Sequence, residues 1–84
     1  EIKKNKGDIF VIEGEIINGG LRAGFTNKEG NRAYVQIENK GNFKILLEIP
    51  ASGNYNFGIS NFTNLYSYKE NHFIIKNVGF LVKN

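Results

Sequence analysis

RAYVQIENKGNFKILLEIPASGNYNFGIS, residues 32–60, decides the fold. Its apolar side chains recur at every second position, in separate bursts. Ala33, Val35 and Ile37 share one face of the first burst, against Tyr34, Gln36 and Glu38. Phe43, Ile45, Leu47 and Ile49 share one face of the second, against Lys44, Leu46 and Glu48. Tyr55, Phe57 and Ile59 share one face of the third, against Asn54, Asn56, Gly58 and Ser60. A period of two marks a strand with one face in a core. Between the bursts stand Asn39-Lys40-Gly41 and Pro50-Ala51-Ser52-Gly53. Asn and Gly tolerate the positive φ that turns need, and Pro50 cannot continue a central strand.

The same alternation extends outward. Residues 8–17 read as a strand, with Gly14 marking a bulge or bend in it. Asn18-Gly19-Gly20 reads as a hairpin turn leading to a strand over 21–26. Residues 27–31 form the next loop. Residues 65–68 make a short strand, and 73–82 an apolar one. In the last, Phe73 and Ile75 are out of step with Val78, Phe80 and Val82. Either a bulge near Asn77 resets the register or the segment is two strands. No segment keeps a helical period over three turns. The expected fold is therefore all-β: an antiparallel β-sandwich, jelly-roll or Ig-like, of seven or eight short strands. A small β-barrel is the alternative. Residues 1–84 form a single domain, with 1–7 as a flexible N-terminal arm carrying Lys3, Lys4 and Lys6.

Composition narrows the chemistry. Among 84 residues there is no cysteine and one histidine, His72. Disulfides, thiolate metal sites and cysteine nucleophiles are excluded. A histidine-based metal site lacks its further ligands. Glu13 and Glu15 share a strand face about 7 Å apart, as a carboxylate pair would, but alternate polar residues are also what a solvent face looks like. No phosphate-cradling loop, dinucleotide fingerprint or nucleophile elbow is present. Asp, Glu and Asn side chains leave an all-oxygen calcium site open, but no DxDxDG-like spacing points to one. The expectation is a protein that is not an enzyme and needs no cofactor or metal.

No stretch of roughly 18 apolar residues could cross a membrane as a helix. The net charge of +3, from eleven basic and eight acidic residues, is concentrated at the three N-terminal lysines. The abundance of Asn, Ile, Lys, Phe and Gly fits a bacterial source of low GC content. The start at Glu1 fits a processed or excised form whose signal peptide has been removed, hence an extracellular or cell-surface setting, with the cytoplasm as the alternative. Asn61-Phe62-Thr63 matches a glycosylation acceptor.

Binding content is concentrated in two places. If residues 32–60 form a meander, Tyr34, Gln36, Lys44, Leu46, Glu48, Asn54 and Asn56 lie on one surface. There a tyrosine ring stacks on a sugar's C–H face and amides pair with hydroxyls. The second place is Asn61, Phe62, Asn64, Tyr66 and Tyr68, aromatics beside asparagines at an end of the fold. Those aromatics equally serve to complete a core.

The run 43–61 resembles a pattern found in extracellular β-sandwich modules, jelly-roll carbohydrate-binding modules among them. Gly53, Tyr55, Phe57, Ile59 and Asn61 carry the likeness. It implies a tight turn followed by an inward-facing strand and transfers no functional residue. The expected function is a non-catalytic binding module for a glycan or cell-wall polymer. Another protein chain is the rival partner. Nucleic acid bound by an oligonucleotide-binding barrel is a third.

Overall fold

The computed structural model describes residues 1–62 and 72–82. They form β1 (Ile2–Lys4), β2 (Ile9–Asn18), β3 (Gly20–Thr26), β4 (Arg32–Ile37), β5 (Gly41–Glu48), β6 (Gly53–Phe62) and β7 (His72–Leu81). These strands make two antiparallel sheets, one of order β1-β6-β3-β4 and one of order β5-β2-β7. The all-β architecture and its two sheets agree with the alternation.

The apolar faces meet between the sheets. Phe10, Ile12, Ile16 and Ile45 from the three-stranded sheet pack with Leu21 and Ala23 from the four-stranded one. Phe57 of β6 bridges the layers, its ring centroid 4.7 Å from Phe10 and 5.0 Å from Phe80. Phe25, Ile49 and Tyr55 close a second cluster, in which the Tyr55 hydroxyl donates to the Ala51 carbonyl at 2.6 Å. Each such side chain contributes about 1.5–3 kcal/mol by leaving water.

Connectivity departs from the expected hairpins. Asn18-Gly19-Gly20 is no hairpin, because β2 and β3 lie in different sheets. Ile17 is the extra residue where β2 bulges against β7, and Gly19 has φ of 75°. Bulge and positive φ together bend one long strand around a corner of the sandwich. Residues 32–60 are likewise no meander. β4 and β6 belong to the four-stranded sheet and β5 to the other. Among the described strands only β3 and β4 are joined as a hairpin, through a loop in which the Asn31 amide donates to the Asn27 side chain at 2.7 Å.

The parity break in β7 is a bulge. Glu13 faces Asn77 and Gly14 faces Ile75, so Lys76 is the extra residue.

Residues 1–7 do more than trail from the domain. Ile2–Lys4 hydrogen-bonds along β6, and the Lys4 Nζ lies 3.6 Å from the centroid of the Phe80 ring. The lysines hid Ile2, whose register partner is the buried Tyr55. The Gly7 amide then donates to the Ile49 carbonyl, and the Lys6 amide to Ser52 Oγ.

Asp8 organises that turn. It is only 3% exposed, and its Oδ2 accepts the Asn5 amide at 2.9 Å. Its own carbonyl accepts the Ile49 amide. Asp8→Ala strands the Asn5 donor and is expected to cost about 1–3 kcal/mol. Urea denaturation checks this, and an unchanged midpoint would remove the carboxylate from the folding account.

Candidate functional site

The outer face of the four-stranded sheet holds the most developed surface. Strand parity sends Lys3, Arg22, Gly24, Thr26, Arg32, Tyr34, Gln36, Asn54, Asn56, Gly58 and Ser60 outward. Register arranges them in rows across the strands. Gln36, Arg22 and Ser60 form one row, Tyr34, Gly24 and Gly58 the next, and Arg32, Thr26 and Asn56 a third.

The middle row has a side chain only at one end. Two adjacent glycines leave a trough over β3 and β6, bounded on the β4 side by Tyr34. It encloses about 350 Å³ and is lined by Arg22, Thr26, Tyr34, Asn56 and Ser60 among others. The two glycines are there for different reasons. A Cβ on Gly24 would run into the Ala33 carbonyl oxygen and lie 2.6 Å from the Tyr34 Cβ, so strand packing demands glycine. A Cβ on Gly58 would meet nothing within 4 Å. No steric requirement keeps that position bare.

Tyr34 is 59% exposed, an open aromatic surface beside the trough. Arg22 is held in place from β4. Its Nε donates to Gln36 Oε1 at 2.9 Å and its Nη2 donates to the same oxygen. The guanidinium carbon lies 5.1 Å from the Tyr34 ring centroid, within cation–π range.

Of the residues expected to bind, Tyr34, Gln36 and Asn56 share this face. Tyr34 and Asn56 line the trough from opposite sides, while Gln36 acts through Arg22. Lys44, Leu46 and Glu48 lie on the far side of the molecule, on β5. Asn61 and Phe62 end β6, opposite Leu21 and Gly20. Asn64, Tyr66 and Tyr68 lie outside the described residues. The sequence reading missed Arg22, Gly24 and Thr26. Their alternation was visible, but nothing local showed that β3 runs between β4 and β6.

The outer face of the three-stranded sheet is different. Glu13 pairs with Lys44 at 3.5 Å and Glu15 with Lys76 at 3.7 Å, all four partly exposed to solvent. Such solvent-exposed pairs contribute little to stability. Toward its other end, Val11 lies between exposed Leu46 and Gly79 in register, with Leu81 nearby. His72 is exposed at the start of β7. Among the described residues no three His, Asp or Glu side chains group as metal ligands would, and no helix is long and apolar enough to cross a membrane.

No family model matches the chain, and no curated protein or solved structure matches it.

Proposed function

We propose that this domain is a non-catalytic binding module that holds a glycan chain in the trough over Gly24 and Gly58, in an exported or cell-surface protein. The observation that carries this is the bare glycine row beside the exposed Tyr34 ring. A trough of this size accepts a sugar ring, and Tyr34 offers a flat apolar surface to its C–H face. Asn56, Ser60 and Thr26 supply amide and hydroxyl groups that both donate and accept, as sugar hydroxyls require. The pattern over 43–61 supports the exported setting.

Retention on a panel of immobilised polysaccharides tests the reading. Tyr34→Ala is expected to weaken binding about tenfold. Its melting temperature should stay near the native value, because the ring is mostly exposed. A native domain retained by no polysaccharide would sink the proposal.

A second reading has its own observation. On the opposite sheet Leu46, across from Val11, and Leu81, across from Ile9, are 53% and 57% exposed and would suit a protein partner. Mass rising with concentration in light scattering, with no polysaccharide retained, would favour it.

A further inference from the structure

We infer that the glycan in this trough is acidic, a polysaccharide chain bearing carboxylates. The inference rests on the glycan reading and adds the charge of the ligand.

Charge is sorted between the two outer faces. The four-stranded sheet sends out Lys3, Arg22 and Arg32, and none of its outward strand positions is Asp or Glu. Glu1, Glu29 and Glu38 lie beyond the strand ends. The three-stranded sheet sends out Glu13, Glu15 and Glu48 with Lys44 and Lys76, and two of these carboxylates are paired to lysines. The cationic excess therefore belongs to the side with the trough.

Two of the cations flank its centre. Arg22 stands one row from the Tyr34–Gly24–Gly58 row, and Arg32 one row from it on the other side. Rows on one face repeat at roughly 6.8 Å, so the two arginine rows lie roughly 14 Å apart along the strands. A chain lying along β3 with one ring against Tyr34 meets a guanidinium toward each end. Arg22 is also pre-positioned, since Gln36 fixes its fork and Tyr34 lies beside its plane. Less side-chain freedom then has to be lost on binding. A guanidinium attracts a carboxylate, and charge-assisted hydrogen bonds are stronger than neutral ones.

Nucleic acid is the other polyanion, and the face suits it less well. Single strands are held by successive bases stacking on successive aromatics. Tyr34 is the only aromatic among the described outward side chains of this sheet. The remaining groups are amides and hydroxyls, which fit a polyol better.

The test titrates the domain with polygalacturonate and with the same polymer fully methyl-esterified. A single-stranded oligonucleotide forms the third arm. The acid form should bind at least about tenfold tighter than the ester, the effect of one charge-assisted contact. That advantage should shrink as salt rises from about 50 to about 500 mM. Arg22→Gln should remove about tenfold of the affinity for the acid form and cost the ester much less, so that the acid's advantage over the ester disappears. Lys44→Gln removes the same charge from the opposite sheet and should change neither, which separates a site from a general charge effect. Equal binding of acid and ester overturns this inference and leaves the glycan reading standing. Binding of neither, with no polysaccharide retained in the panel, overturns both. An oligonucleotide held more tightly than polygalacturonate overturns it in favour of nucleic acid.

Discussion

Gly14→Ala is expected to destabilise the domain by ~3 kcal/mol or more, a large part of the stability of so small a fold. Gly14 lies in the middle of β2, the central strand of its sheet, and faces the interior between Ile12 and Ile16. Just there β7 bulges at Lys76, and the Ile74 carbonyl comes so close that any Cβ on Gly14 would overlap it. The Phe43 ring closes the other side, with Cζ 3.0 Å from the same point. Neither neighbour can give way cheaply. One is backbone held in the β2–β7 ladder, and the other packs against the core. Urea denaturation followed by circular dichroism measures the loss. Gly79→Ala is the control, because a Cβ there meets nothing within 4 Å. It should shift stability by no more than about 1 kcal/mol, in the stabilising direction if at all. If Gly14→Ala melts with the native protein, the close approach of β7 to β2 is wrong.

Gly58→Thr is expected to do the reverse: keep or raise stability and abolish binding. Glycine inside a strand costs roughly 0.5–1 kcal/mol relative to alanine, and β-branched residues favour strands. Position 58 has no positive φ and open space where a side chain would stand. A core or packing role would make the substitution harmful. A binding role makes it harmless to the fold, because the threonine fills the trough beside Tyr34. Polysaccharide retention and a thermal melt on one sample read both effects. A variant that melts higher and still binds as well as the native protein would remove the trough from the proposed function.

Much of this fold was legible because a two-residue period can be read within a single strand. Phe43, Ile45, Leu47 and Tyr55, Phe57, Ile59 declared their inward faces locally. The bulge in β7 was visible for the same reason, since Phe73 and Ile75 could not share a face with Val78 and Phe80 without an extra residue. Strand neighbours were not legible. Asn18-Gly19-Gly20 has the chemistry of a hairpin, and only the competition of β7 and β5 for the two edges of β2 makes it a corner. The same limit divided the expected binding surface. Tyr34, Gln36 and Asn56 stayed together, Lys44, Leu46 and Glu48 went to the opposite face, and Arg22, Gly24 and Thr26 took the central place. β1 was hidden because three lysines outweigh one isoleucine in composition, whereas Ile2 is what lies opposite Tyr55.

Sheet crossing also sets when the molecule can assemble. Among the described strands, every pair consecutive in the chain except β3–β4 is split between the two sheets. β2 emerges before either neighbour exists, its apolar residues 9–12 followed by Glu13-Gly14-Glu15 and then Ile16 and Ile17. β5 is synthesised after two intervening strands, and β7 comes last of all. β3 and β4 can close on each other at once, but β3 gains its second partner only when β6 emerges. Pairing between distant segments pays for loop closure before any contact rewards it, so folding of this kind is slow. The growing chain therefore carries Ile9, Val11, Ile12 and Ile16 without strand partners until β5 and β7 have followed.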